Sequence, residues 1–402
     1  MVSRSQVLCL TAFLAFSFVF AQADDKSLSR GSKALSIFNI IRFSNSACSG
    51  TGNRNGTCYT EEECTNKNGI KAGSCASGYG VCCIFSATCG QTTRENCTYF
   101  DSSTVSSGAC SLEVCKCNDN ICQLRLDFNS FVIAGPSTST LSFGKILNGV
   151  VSATGKVAVS TATRCLIDQF SVTSPGNPSP PTICGINSGE HMYVDASDAC
   201  NDLSFQLGSA GTTGRRWSIK VTQYGCDFEN LAPDGCTQYF YGSNTGLLKT
   251  YNFDGEIHLA NQEQKICVRQ EAGNCKICYT TAADTDFSVS GQSDALMGFT
   301  KSSECCGYGN DGKGVNGYDC VVIPGALKQT AKEELIPGSQ ICGRKMVSAD
   351  EGEDLKTICT DQRPFHITFR SDNYEEAVKE VNIKNLLNKG FRLVYSQTSC
   401  GV

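Results

Sequence analysis

Short runs of alternating apolar and polar residues dominate most of the chain. In "CQLRLDFNSFVIAG" (122–135), Leu124, Leu126 and Phe128 alternate with Gln, Arg and Asp. "DQFSVTSPG" (168–176), "DLSFQLGS" (202–209) and "RRWSIKVTQYGC" (215–226) show the same period of two, with Gly, Pro, Ser and Asn turns between them. That period turns one face of each run to a core and the other to water, so the pattern predicts half-buried strands. One run departs from it. In "NYEEAVKEVNIKNLLNKG" (373–390), Val378, Val381 and Leu386 fall near helical spacing, Glu380 stands four before Lys384, and Gly390 closes the run. It reads as either a short surface helix or a loop.

The strand-like words occur twice, in one order. "CYTTAADTDFSVSG" (278–291) answers 122–135, "DCVVIPG" (319–325) answers 168–176, and "ICGRKM" (341–346) answers "ICGINS" (183–188). "FHITFRSD" (365–372) answers "LSFQLGSA", and "KGFRLVYSQTSC" (389–400) answers 215–226. Trp217 to Cys226 and Phe391 to Cys400 are the same distance apart. Five matched words in one order indicate a tandem duplication. The repeated closing word is then a core strand, its aromatic packed inside and its cysteine stapling the end.

Ahead of the first copy, residues 48–83 hold six cysteines and almost no apolar pattern. A segment this small cannot build a core and must be a disulfide knot. Adjacent Cys82 and Cys83 point to opposite sides of an extended chain and should bridge to different partners. The first 23 residues have the form of a cleaved signal peptide: Arg4, an apolar stretch, then "AQA". Removing it takes Cys9 from the 27 cysteines and leaves 26, an even number that predicts a fully bridged, exported protein. Two sequons, at Asn55 and Asn96, are candidate glycosylation sites. The organisation expected is all-β: signal peptide 1–23, a loose segment 24–47, a six-cysteine knot 48–83, then two tandem antiparallel β-sandwiches, 84–226 and 227–402. "DFENLAPDG" (227–235) is expected to join the sandwiches as a semi-rigid turn with few crossing contacts.

"CLIDQFSV" (165–172) with "ICG" in the first copy, and "SD" with "GFRLVY" in the second, resemble the motifs of the CUB domain, a secreted β-sandwich. "HMYVDA", "RRWSIKVTQ", "APDGCTQYF" and "LANQ" extend the likeness to a group of secreted arthropod CUB-domain proteins, and the knot resembles a clip domain. The resemblance implies a Cys165–Cys184 bridge, and in the second copy a bridge from Cys342 to Cys305 or Cys306. It also raises calcium, which some CUB domains bind through a Tyr, a Glu and two Asp. The first copy has Asp168 but Ala210 at the expected edge Asp; the second keeps Asp319 and Asp372 but has Gln264 where the Tyr would stand. Calcium needs six to eight oxygens, so these two aspartates are weak calcium candidates and no cofactor is expected.

No catalytic constellation is visible. The three histidines, His191, His258 and His366, sit in no protease motif, and "GYGNDG" (307–312) lacks the strand and helix of a dinucleotide loop. "CKIC" (275–278) reads as ordinary disulfide cysteines in an exported chain. A net charge of −5 argues against nucleic acid, and no second apolar stretch is long enough for a membrane span. The expected role is a secreted, extracellular, non-catalytic binding protein that engages protein or glycan partners through loops and sheet edges. The alternatives are a structural matrix or cuticle component and, more weakly, a cofactor in an immune or protease cascade.

Overall fold

A computed structural model describes residues 41–102, 107–142, 159–210, 214–283, 285–290, 305–306, 319–328, 333–343, 345–346, 357–372 and 388–400. The stretch expected to be a signal peptide, the glycine loop 307–312 and nearly all of the helix-or-loop run lie outside them. The elements that follow belong to one compact unit, Phe43–Val402.

The knot is built on β1 (Ala47–Ser49), β2 (Asn55–Tyr59), α1 (Glu61–Asn66), β3 (Ile70–Cys75) and β4 (Gly80–Ala87). Thr60 starts α1 with a capping box: its hydroxyl accepts from the Glu63 N–H, and the Glu63 carboxylate accepts from the Thr60 N–H. Cys48 bridges to Cys82, Cys58 to Cys75 and Cys64 to Cys83. β4 does not stop at the last of these cysteines. Its residues Phe85, Ser86 and Ala87 pair in parallel with Thr98, Tyr99 and Phe100, so knot and first sandwich share one sheet across position 83/84.

The first sandwich comprises β5 (Gln91–Thr93), β6 (Thr98–Asp101), β7 (Gly108–Val114) and β8 (Ile121–Val132), then the hairpin β9 (Ser137–Ser142) and β10 (Val159–Arg164). It continues with β11 (Asp168–Thr173), β12 (His191–Asp195), β13 (Asn201–Leu207) and β14 (Arg216–Gly225). One sheet runs β6-β14-β8-β12 and the other β11-β13-β7-β5. Leu124, Leu126, Phe128, Trp217 and Ile219 from the first face Leu112, Phe170, Leu203 and Phe205 from the second. Full burial of such side chains contributes about 1.5–3 kcal/mol each.

The second sandwich holds β15 (Gln238–Phe240), β16 (Thr245–Lys249), β17 (Glu263–Val268), β18 (Asn274–Thr281), β19 (Phe287–Ser288) and β20 (Cys320–Val322). After these come β21 (Leu327–Lys328), β22 (Glu334–Leu335), β23 (Gln340–Ile341), β24 (Thr357–Thr360), β25 (His366–Arg370) and β26 (Gly390–Ser399). Its sheets contain the orders β16-β26-β18-β24 and β20-β25-β17-β15, which repeat those of the first sandwich strand for strand. Within the sandwiches the parallel pairing recurs too, since β5–β7 and β15–β17 are both parallel. Trp217 lies opposite Phe131 and Phe391 opposite Phe287, and the cysteines ending the two closing strands bridge to Cys122 and Cys275. The protein is therefore all-β, a disulfide knot followed by two tandem β-sandwiches.

Two expectations need correction. The counterpart of Cys122 is Cys275, whereas Cys278 bridges to Cys359; the tight turn in which the Asp286 N–H donates to the Ala283 carbonyl shifts the register between the words. The junction is also densely crossed. The Tyr193 N–H donates to the Thr237 carbonyl (2.9 Å), the Tyr251 hydroxyl to the His191 carbonyl (2.9 Å), and the Asn252 N–H to Asn187 Oδ1 (2.7 Å). Tyr251 and Leu259 of the second sandwich complete the core of the first. Gly185, at φ +79°, lies so close to Asn252 that a Cβ there would meet its Oδ1 at 1.9 Å. The reason is chemical: the outward side chains of β12 are His191 and Tyr193, which bury against β15 instead of facing water.

Candidate functional site

Asp168, the aspartate of the Cys-x-x-Asp motif, begins β11 with its side chain fully buried. Arg215 reaches it just before β14 and donates from Nη2 to Oδ1 (2.6 Å) and from Nε to Oδ2 (2.7 Å). The backbone N–H groups of Gly208 and Ala134 donate to the same two oxygens, at 3.0 and 2.8 Å. Four donors fill the carboxylate, and a guanidinium supplies the positive charge that a cation would otherwise bring. Ala210 offers its carbonyl to Arg215 (2.9 Å).

Asp319, its counterpart before β20, is organised differently. Its Oδ1 accepts from the Asp372 backbone N–H (2.9 Å), and its Oδ2 lies 3.6 Å from His258 Nε2. Toward Asp319, Asp372 thus presents a donor. Gln264, at the position of the expected Tyr, is turned to the junction, where its amide donates to Gln238 Oε1 (2.8 Å). Burial pushes the His258 imidazole down to about 4, so it is neutral near pH 7.

Each cysteine pair singled out by sequence has a place. Cys165 bridges to Cys184, Cys305 to Cys342 and Cys306 to Cys320. Cys275 and Cys278 of "CKIC" bridge to separate strands, so no dithiol forms there. Glu113, Cys115 and Cys200 converge within ligand distance, but the two sulfurs are bonded to each other and offer no thiolate. The parity argument fails at two positions: Cys97 and Cys117 are unbridged. Both flank Gln223, whose backbone N–H and carbonyl are held by the Asn96 side chain and whose Oε1 accepts from the Cys117 N–H. Burial pushes both thiols up, so they are protonated at neutral pH. An even count cannot reveal which thiols stay unbridged.

The histidines serve the fold. His191 Nε2 accepts from the Tyr239 N–H (3.0 Å), and burial pushes this imidazole down to about 3. His366 lies on the outer face of β25 with its Nδ1 at the Pro364 carbonyl (2.8 Å). It helps line an open groove of about 660 Å³ between the sandwiches, walled by Pro178, Pro180 and Pro181 on one side and by Lys265 and Arg370 on the other.

The duplication exposes a difference that neither copy shows alone. In the first sandwich, Tyr99 of β6 and Lys220 of β14 are paired on the outer face. The knot covers Tyr99: its hydroxyl accepts from the Asn55 N–H (2.8 Å), Ala72 and Ile84 pack on its ring, and Arg54 lies 4.6 Å above it while forking onto Asp101. In the second sandwich, the same register positions hold Leu247 of β16 and Val394 of β26. Leu247 is 47% exposed and Val394 38%. The seat that the knot fills on one copy is apolar and open on the other. Sequence reasoning missed it, because "TGLLK" reads as one more core strand until the two sheets are set in register.

Residues 233–398 match the family model of the animal CUB domain. Among solved structures, the CUB1-EGF-CUB2 domains of rat MASP-1 align over 78% of this chain and 99% of their own, at 13% identity and a TM-score of 0.22. The CUB1-EGF-CUB2 domain of human MASP-1/3 aligns over 75% and 98%, at 14% identity and a TM-score of 0.22. The full extracellular region of zebrafish Gpr126/Adgrg6 aligns over 79% of this chain and 33% of its own, at 10% identity and a TM-score of 0.19. No curated protein matches. Among the described residues, no helix is long and apolar enough to cross a membrane. From residue 233 to residue 398, the strands of the second sandwich are those of a chain similar to the animal CUB domain.

Proposed function

We propose that this chain is an exported, non-catalytic binding protein whose second sandwich engages an extracellular protein through its open outer face. CUB domains generally mediate protein–protein interactions and are generally non-catalytic, and the many disulfides suit an oxidising compartment. The observation that carries the reading is the exposed pair Leu247 and Val394, at the register where the first sandwich already binds the knot. A pre-organised sheet face binds with a smaller ordering cost, and apolar anchors at the centre of an interface supply most of its affinity. The clip-like character of the knot, the cleaved signal peptide and the arthropod affinity belong to the same proposal.

The test is capture from extracellular fluid with the tagged full chain, against a Leu247→Ser/Val394→Ser variant that keeps the wild-type melting temperature. A protein partner held by the wild type and lost by the variant supports the proposal. Recovery of the chain only in insoluble matrix, with no partner sensitive to the variant, favours a structural component. A partner that is a glycan, released by free sugar and indifferent to the variant, moves the site to the open groove between the sandwiches.

A further inference from the structure

The two sequons lie on either side of the knot–sandwich boundary and meet opposite environments. Asn55 opens β2, whose burial alternates strictly: Asn55, Thr57 and Tyr59 face outward while Gly56 and Cys58 are buried. The Asn55 backbone is fixed by Tyr99, whose hydroxyl accepts from its N–H and donates to its carbonyl. Its side chain is exposed, and among the described residues neither that carboxamide nor the Thr57 hydroxyl makes a hydrogen bond. Asn96 is half-buried, and its carboxamide is consumed. Oδ1 accepts from the Gln223 N–H (2.8 Å) and Nδ2 donates to the Gln223 carbonyl (3.1 Å). The side chain thereby acts as one more rung of sheet pairing beyond Val221–Thr98. Thr98, the hydroxyl residue of that sequon, is 1% exposed and donates to the Glu95 carbonyl (2.7 Å).

We propose that Asn55, and not Asn96, carries an N-linked glycan. The inference rests on the export reading above. In the transfer, Asn55 Nδ2 attacks the anomeric carbon of a lipid-pyrophosphate-linked oligosaccharide. The carbon–oxygen bond to the pyrophosphate breaks, the lipid pyrophosphate leaves, and the amide proton passes to a base of the transferase. At Asn55 the sugar projects from a strand face into solvent. At Asn96 it would displace the rung on Gln223 and open the end of β14, so a chain modified there could not complete the sheet.

Expression of the full chain in a secretory eukaryotic host, followed by endoglycosidase treatment and glycopeptide mass spectrometry, tests this. The expected result is a single glycan, lost completely in Asn55→Gln and in Thr57→Ala and fully retained in Asn96→Gln. Asn96→Gln should also lower the melting temperature, because the longer side chain cannot reproduce the two-way bond. Any glycopeptide carrying sugar at Asn96, or an exported chain bare at Asn55, overturns the assignment. A chain held inside the cell and unmodified instead contradicts the export reading on which it rests.

Discussion

Arg215 and Asp168 form a two-pronged ion pair with side chains 4% and 0% exposed, at the position where the family resemblance raised a calcium ligand. Removing one partner of a buried pair leaves the other charge without compensation, at a cost of about 3–5 kcal/mol. Arg215→Ala should therefore lower the melting temperature of the full chain by many degrees. Millimolar calcium should not restore it, because Gly208 and Ala134 still occupy the carboxylate. Rescue by calcium would show that the guanidinium stands in for a metal.

For the second sandwich, we propose at most weak calcium binding. A native-state ligand stabilises by RT ln(1 + [L]/Kd), so melts with calcium and with chelator compare directly. They should coincide to within about a degree. A large shift abolished by Asp319→Ala would contradict this.

Acid should destabilise the protein through its buried histidines. Burial holds His191 near 3 and His258 near 4, both below the ordinary value of 6.5. A group whose folded pKa is depressed contributes stability above its unfolded pKa and loses it as pH falls, here from about 6.5 downward. The loss should be on the order of 3 kcal/mol for each by pH 4. Glu190 works in the opposite direction: burial raises its pKa against the pull of Lys249, so its share is lost as pH rises. Equilibrium unfolding between pH 7 and pH 4 should show a falling midpoint, with a shallower fall in His191→Gln. A flat profile would mean that the imidazoles are hydrated.

The two sandwiches should melt together. Tyr251 packs on Phe128 in the first core, with ring centroids 6.5 Å apart, and donates to the His191 carbonyl. Buried large-to-small changes of this kind cost about 3–5 kcal/mol. Tyr251→Ala should shift a single calorimetric transition downward. Two transitions in the wild type would show that the copies fold independently.

Thiol labelling of the unfolded, unreduced protein should report two cysteines, Cys97 and Cys117, in peptides from 97 and 117 alone. Fewer would mean that they are oxidised in the native protein.

The strands were legible because burial on one face imposes a period of two, and the duplication because both copies bury equivalent aromatics, Trp217 and Phe391. The junction was not. Gln238, Gln264, Asn187 and Asn252 are residue types that usually meet water, and only the fold shows them satisfying one another in a buried seam. Nor was the Asp168–Arg215 pair, since "GRRWS" reads as the exposed start of a strand and its partner lies far back in the chain. The open seat was hidden for a different reason. Leu247 and Val394 become noteworthy only beside Tyr99 and Lys220, and that comparison needs the register of both sheets.

The most direct measurement is the affinity of the full chain for its captured partner, compared between wild type, Leu247→Ser/Val394→Ser and Tyr79→Ser. Tyr79 is 62% exposed on the knot and serves as the control for loss of surface apolar area. If the second sandwich binds through its open face, the double variant should raise Kd about tenfold or more, a loss of about 1.4 kcal/mol, while Tyr79→Ser leaves it unchanged. Equal Kd for wild type and double variant, with both fully folded, would contradict the account.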